Sequence, residues 1–378
     1  MSLQTKIIIE KNKFFQHLAI LFGDVLVAIL IVLQFSINVG YANRSQTLLA
    51  LLLGLILSFF LYINYKLKWQ TYTYLLVALV SSLLNLLFIE GAEFLLIGYD
   101  LLICFPIALY FVKGNYNRWF WRIFSIALAI FVINKYITST DIFKYQIFPN
   151  ASRNYISVFM IFAMFLFCIS EVKYKNALRN LFVFAVVSFM ASIMAVGRGG
   201  IIATGFLLVV IILILFRKSS LKTKGLLLLL LCIFLYVSVI NLDYILDNYF
   251  VRFTKDNATG SNSERSYFVT TYLQTMIVNP LYILFGVARS SLSQYRVLNF
   301  HNSYLQFHFT YGLIQMLISA NLFISSLRKL YSNERFTIFA IGLCFLVRAM
   351  LDMLFPAHLL SIVLYYFCLL STENGDGV

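Results

Sequence analysis

The chain has 378 residues, 61% of them hydrophobic and 12% charged, with a mean hydropathy of +0.88. Soluble domains carry about 25% charged residues, and a soluble core of this size cannot hide so much apolar surface. A soluble enzyme is therefore excluded and an integral membrane protein indicated. The formal net charge is +14, and its distribution along the chain decides what it means.

About twelve apolar runs approach the roughly 20-residue length of a membrane-spanning helix. In chain order they cover approximately 16–35, 47–64, 72–88, 95–112, 119–135, 154–170, 180–196, 199–216, 224–241, 302–325, 336–353 and 357–371. The runs are continuous, where barrel strands would alternate apolar and polar residues. The expected fold is all-α, one integral membrane domain over 1–378 with about 12 transmembrane helices. The first run reads as a retained span, because it is long and no small-residue cleavage site precedes the next run. Cys104, Cys168, Cys232, Cys344 and Cys368 all fall in apolar runs without a C-x-x-C and read as buried hydrophobes. The long segment 242–301 separates the ninth and tenth runs. Its first part, "VRFTKDNATGSNSERSYF", reads as a polar loop; "NPLYILFGVARSSLSQYRVLNF" is apolar enough for a short helix along the membrane surface.

Lysine and arginine set the orientation, because they collect on the cytoplasmic side. With the N-terminus inside, the inward segments hold Lys6, Lys11, Lys13, Lys66, Lys68, Lys113, Arg118, Arg122, Lys173, Lys175, Arg179, Arg217, Lys218, Lys222, Lys224, Arg328, Lys329 and Arg335, the majority of the 29 basic residues. Half of the smaller outward set lies in 242–301, where the rule is weak. Both termini are expected in the cytoplasm, with 242–301 and Arg198 outside. The positive charge is thus an orientation signal, and nucleic-acid binding is not indicated.

Several polar residues stand out against this background. Arg198 lies in "MAVGRGG" between two runs with almost no loop. An arginine near membrane depth marks a functional site by default, and the glycines around it allow a sharp turn that opens a helix N-terminus to an anion. Two readings are open: a pyrophosphate site, or a hairpin turn whose arginine snorkels to headgroups. Arg265 follows the polar loop and would open an amphipathic helix with Ser263 as N-cap. Its fork suits phosphate, although taken alone a solvated loop arginine paired with Glu264 is the favoured reading. Arg289, like Arg252 and Arg296, is a weaker version of the same case.

Two of the four histidines fall in "NFHNSYLQFHFTYGL", 299–313. An unperturbed imidazole titrates near neutrality, so His301 suits a general base acting on a hydroxyl; a residue holding the helix end is the alternative. Asn302 would orient it or a sugar, and Tyr304 and Phe307 offer ring faces. His308 lies deeper and reads as a packed, hydrogen-bonded histidine. Arg348 and Asp352, four apart, read as an intrahelical ion pair. Asp24, Asp100, Glu90 and Glu93 show no partner in the sequence.

Certain motifs are absent. Without D-x-D, a carboxylate-held metal for a nucleotide sugar is not expected. No Walker A, H-E-x-x-H or G-x-S-x-G occurs. A flippase or other transporter is the rival class, but the long segment lies after the ninth run rather than at the midpoint, and no repeat halves are visible.

The order "GRGG" (197–200), "SERSYF" (263–268), "NPLYILFGVA" (279–288) and "HNSYLQFHFTYGL" (301–313) resembles the O-antigen ligase and polymerase superfamily. The chain departs from many members by carrying Phe309-Thr310-Tyr311 where an acidic residue precedes "YG", and by lacking a second glycine after Gly312. The resemblance implies a GT-C-like, inverting, metal-independent glycosyltransferase without cofactor. It would act on the outer side of the bacterial cytoplasmic membrane, with an undecaprenyl-pyrophosphate-linked oligosaccharide as donor and acceptor. Arg198 and Arg265 would hold the pyrophosphate, helped by Arg289, and His301 would be the catalytic base beside Asn302 and Tyr304. A chain-length regulator and a flippase would be partners. Chain length and composition resemble a repeat-unit polymerase more than a ligase acting on lipid A–core.

The orientation is directly testable. Single cysteines placed at 260 and 220 are expected to be accessible and protected, respectively, to an impermeant thiol reagent in intact cells; the reverse pattern overturns the inward and outward assignments.

Overall fold

A computed structural model describes residues 3–88, 94–113, 115–139, 146–149, 151–152, 154–171, 177–195, 197–218, 224–225, 236, 261–287, 302–352, 354–356 and 358–373. The helices are α1 (Leu3–Val39), α2 (Arg44–Asn64), α3 (Trp69–Phe88), α4 (Phe94–Tyr99), which continues through a π-helical turn (Asp100–Cys104) into α5 (Phe105–Lys113), and α6 (Arg118–Thr138). A two-stranded ribbon, β1 (Gln146–Phe148) and β2 (Ala151–Ser152), precedes α7 (Tyr155–Glu171), α8 (Ala177–Met194) and α9 (Arg198–Lys218). Then come α10 (Ser261–Val278), α11 (Pro280–Phe285), α12 (Ser303–Ser332), α13 (Phe336–Leu351) and α14 (Leu359–Glu373).

This is a helical, multi-pass membrane protein. Among the described residues, 7 helices are long and apolar enough to cross a membrane, and α7, α13 and α14 are shorter apolar helices. Every expected run falls on described helix except 224–241, which lies largely outside the described residues, as does much of 242–301. Cys104, Cys168, Cys344 and Cys368 are free and buried, as expected; Cys232 lies outside the described residues.

Burial sorts the helices. Nearly every residue of α7 and α14 is buried, whichever way it points, which is the signature of a central helix. By contrast α2 and α3 bury one side and expose Leu52, Phe59, Leu76 and Leu83 on the other, as a helix facing lipid does. Local signals fix their starts. Asn43 and Gln46 form a reciprocal capping box on α2, and the Asn117 side chain caps α6.

Polar ties at helix ends show how the helices alternate. Glu373, ending α14, accepts from the Lys68 N–H and the Thr71 hydroxyl, and pairs with Lys113 at 2.5 Å. Glu171, ending α7, meets Arg122 at 3.2 Å and Asn180 at 2.8 Å. Asp24 accepts from the Trp121 indole (2.6 Å), the Tyr110 hydroxyl (2.8 Å) and the Asn117 N–H (2.9 Å). All these residues belong to ends that the lysine and arginine distribution assigns to one side. At the opposite end the Leu359 N–H donates to Asn38 (2.9 Å) and the Tyr136 hydroxyl to the Met194 carbonyl.

The structure therefore supplies partners the sequence does not reveal. Asp24 is held by three donors. Asp100 sits in the π-helical turn, fully buried, and accepts from the hydroxyls of Tyr311 (3.1 Å) and Tyr365 (3.2 Å). Glu90 and Glu93 lie outside the described residues.

Replacing Asp24 with Ala orphans three donors, each costing about 1–3 kcal/mol when buried unpaired. The Asp24→Ala variant is expected to lose about 3 kcal/mol or more of stability and to unfold well below the wild type in a thermal melt in detergent. A melting temperature within about 1 °C of wild type would dismiss the clamp.

Candidate functional site

The end of the bundle opposite Glu373 gathers around Arg348. This residue is 1% exposed, near the C-terminus of α13. Its Nη2 donates to Asp352 Oδ2 (3.1 Å) and to the Asn154 carbonyl (3.3 Å), and its Nε donates to the Ser157 hydroxyl (3.3 Å). The expected Arg348–Asp352 pair is thus present, but two further acceptors come from the start of α7. The remaining nitrogen, Nη1, is buried without a hydrogen-bond partner.

The Gly-rich turn docks on this guanidinium. Between α8 and α9 the Gly197 N–H bonds to the Ser192 carbonyl, and the Ile201 N–H closes on Gly197. A Cβ at position 199 would stand 2.8 Å from Arg348 Nη1; only glycine lets the backbone of the α9 N-terminus lie this close. The start of α12 docks beside it. The Ser303 hydroxyl donates to the Asp352 carbonyl (2.6 Å) and accepts from the Leu354 N–H (2.7 Å). The first residue of α7, Tyr155, packs its ring on that of His358, just before α14, at 6.4 Å. Four helices, α7, α9, α12 and α14, thus begin at this end. Helix N-termini carry unpaired N–H groups and a partial positive charge; α1, α6, α8 and α13 end on this side too, so the field at the guanidinium is set by the N-terminus nearest it, that of α9.

The expected site residues fall as follows. Arg198 is the first residue of α9 and Arg265 lies in the first turns of α10, so both backbones are placed, while their side chains lie outside what is described. The helix around Arg265 starts at Ser261, so Ser263 is an interior residue and not the N-cap. His301 and Arg289 lie outside the described residues. Asn302 caps α12, its side-chain oxygen accepting from the N–H groups of Tyr304 (2.9 Å) and Leu305 (3.2 Å). The Tyr304 hydroxyl donates to the Leu346 carbonyl (3.0 Å). Phe307 is buried between Tyr311 and Phe355 and offers no free face to a sugar. With Tyr304 it lines an apolar cavity of about 240 Å³ that also touches Met316, Phe323 and Phe345.

His308 is the packed histidine the sequence suggests. Its Nε2 lies 2.8 Å from the Ile283 carbonyl, which can only accept, so Nε2 carries the proton and Nδ1 accepts from the Tyr272 hydroxyl at 2.6 Å. One imidazole therefore ties α10, α11 and α12 together. Arg265 precedes Tyr272 by the same seven-residue step that separates His301 from His308. The segment 280–285 is a short helix, as expected, but it packs into the bundle. Gly286 (φ +93°) approaches the backbone of His308 and Phe309, and Gly312 (φ +74°), which interrupts α12, approaches that of Leu284 and Phe285. The Asn85 amide donates to the Phe285 carbonyl at this junction. The glycines of "ILFG" and "TYG" thus serve one backbone-to-backbone contact.

Sequence reasoning did not find Asn154, Ser157 and Ser303, the polar residues that hold this end together, nor His358 at its edge. Ser303 alone has a local signal, since it follows an N-cap asparagine. No protein-family model matches the chain, and none of the curated proteins does.

An Ala at 312 meets the Leu284 carbonyl and has to adopt a positive φ, at a cost of about 1–3 kcal/mol from backbone strain alone. Gly312→Ala is expected to loosen the α11–α12 junction, read as faster proteolysis after 278 and a lower thermal midpoint. Unchanged proteolysis and midpoint would remove the junction from the fold's constraints.

Proposed function

We propose that this protein is a GT-C-like glycosyltransferase that polymerises undecaprenyl-pyrophosphate-linked oligosaccharide repeats into a surface polysaccharide. It works on the outer side of the bacterial cytoplasmic membrane, through about twelve spans with both termini in the cytoplasm. One observation supports this above the others. The "GRGG" turn and the helix opened by "HN", about a hundred residues apart in the chain, dock on the same Arg348–Asp352 pair, with the N-terminus of α9 against the guanidinium. That arrangement suits a diphosphate leaving group beside a base.

The reaction is a single displacement. His301 takes the proton from the acceptor hydroxyl as its oxygen attacks the anomeric carbon of the donor sugar. The carbon–oxygen bond to pyrophosphate breaks on the opposite face, so the configuration inverts, and undecaprenyl pyrophosphate departs. Its charge is held by Arg198 and Arg265, with Arg289 at the rim; these cations and the helix N-termini do what a metal does elsewhere. Asn302 and Tyr304 fix the start of α12 beside the base. The apolar cavity lined by Tyr304 suits hydrocarbon of a lipid carrier better than sugar. A flippase supplies the substrate, and a chain-length regulator is the expected partner.

Purified protein with lipid-linked repeat units tests the proposal. Lengthening of the glycan supports a polymerase; transfer only when lipid A–core is added identifies a ligase; movement across the bilayer without bond formation identifies a flippase. Arg198→Ala and Arg265→Ala are expected to abolish polymer while the protein stays in the membrane, with lysine rescuing partly because it keeps charge but loses the paired donors. His301→Ala is expected to slow bond formation about 10²–10⁴-fold while donor still binds. His301→Gln keeps an amide donor without a comparable base, so near-normal turnover by this variant at saturating donor would sink the general-base role.

A further inference from the structure

We infer that Arg348 is a direct ligand of the diphosphate, acting through Nη1 together with the first backbone N–H groups of α9. The inference rests on the proposed glycosyl transfer for the identity of the anion, and on geometry for the site itself. Three observations carry it.

The guanidinium is almost wholly buried, yet its donors are unevenly used: Nε and Nη2 reach Ser157, Asn154 and Asp352, while Nη1 has no acceptor. A charged donor left unpaired away from water is among the costliest defects a fold carries, and an acceptor supplied by a ligand removes it. Nη1 also points at a place of matching chemistry. It lies against Gly199 in the first turn of α9, where the N–H groups of Gly199 and Gly200 precede the first intrahelical bond, made by Ile201. α9 runs from Arg198 to Lys218, long enough for a developed dipole.

The third observation is how the guanidinium is held. Asp352 neutralises its charge from one edge and Ser157 and Asn154 fix its plane, so Nη1 is presented in a set direction at the turn where α9 begins. A residue needed only to close the α7–α13 contact would be served by the Nη2 and Nε bonds. Arg198 and Arg348 then act differently. The first is placed on the turn itself, and the second is a rigid donor set behind it, worth most when the leaving diphosphate carries its full charge.

Gly199→Ala is the informative variant. It removes no charge and no hydrogen bond, but sets a methyl 2.8 Å from Nη1. Protein in phosphatidylcholine nanodiscs is titrated with inorganic pyrophosphate and, separately, with undecaprenyl pyrophosphate. Arg348→Lys is measured beside it, and folding is checked by size-exclusion profile and thermal midpoint. Folded Gly199→Ala and Arg348→Lys are each expected to bind both diphosphates about tenfold or more weakly than wild type, and to raise the donor KM by a similar factor, as loss of a charge-assisted bond implies. Wild-type affinity in either folded variant overturns the inference, as does a wild type that binds neither diphosphate. Competition by phosphatidylglycerol in the disc but none by pyrophosphate would assign the site to a membrane headgroup, and would also overturn it. Should wild type bind diphosphate with this sensitivity and never lengthen a glycan, the polymerase reading fails and the Arg348 site stands. Should it lengthen glycan while Gly199→Ala binds normally, the reverse holds.

Discussion

A guanidinium with no access to water has to be met by acceptors, and Arg348 draws its acceptors from the start of α7 and the end of its own helix. That requirement organises one end of the bundle. Asn154 and Ser157 bring the start of α7 against Arg348. α9 approaches on glycine because anything larger meets Nη1. α12 is anchored one step further out, through Ser303 on the backbone of Asp352 and Leu354. Stability alone does not call for this arrangement. A buried ion pair exchanged for well-packed apolar residues is often neutral or stabilising, whereas removing one partner costs about 3–5 kcal/mol. A pair that leaves one donor unsatisfied is poorer still as a structural device, and better explained by what it presents.

The other end follows the same rule with the opposite result. Glu373, Glu171 and Asp24 are each surrounded by donors from neighbouring helices. Those carboxylates fasten α3, α5 and α14 to one another, and α1 to α5 and α6, at the side expected to face the cytoplasm. Between the two ends the polar groups are mostly hydroxyls, such as Tyr311 and Tyr365 on Asp100 and Tyr74 on Ser319 at 2.9 Å. The Tyr74–Ser319 pair brings no charge into the apolar interior, and Asp100, the one acid there among the described residues, is met by two hydroxyl donors. Among the described residues, buried carboxylates gather donors at one end and the Arg348–Asp352 pair gathers α7, α9 and α12 at the other.

Seven of the expected spans are helices long and apolar enough to cross a membrane, and they were legible in the sequence because a run of about 20 apolar residues has one physical outcome in a bilayer. The sidedness of the helix ends was legible for a related reason: lysines and arginines near the ends label them, and the Lys113–Glu373 and Arg122–Glu171 pairs join ends given the same label. Deviations inside the helices were hidden. Gly312 in α12 is one of several glycines in apolar runs, and nothing local shows that Leu284 lies against it. The π-helical turn at Asp100 likewise depends on tyrosines more than 200 residues away. Arg348 illustrates the limit best. Its i,i+4 partner could be read from spacing, but Asn154 and Ser157 could not, because no period connects residues about 190 positions apart. Of the candidate site, the Gly-rich turn and the capped helix at 302 were visible as motifs, while the residue that brings them together was not.

The histidines show how packing narrows a chemical assignment. A general base needs a ring nitrogen that can reach substrate and accept its proton. His17 lies in α1, seven residues ahead of Asp24 and so towards the Glu373 end. His308 has both nitrogens engaged, Nε2 as donor to Ile283 and Nδ1 as acceptor from Tyr272, and freeing either would release α11 or α10 from α12. Two histidines remain, His358 at the Arg348 end and His301, which lies outside the described residues. His358 has its backbone fixed by Ser361 and Cys104 and its ring against Tyr155, a setting that seals the edge of the site. His301 immediately precedes the Asn302 cap, whose amide sets the direction in which α12 begins. A base at that position inherits its placement from the cap and from Ser303 docked on Asp352. In the proposed reaction, the bond that anchors α12 to the arginine pair is therefore also the bond that would position a base preceding Asn302.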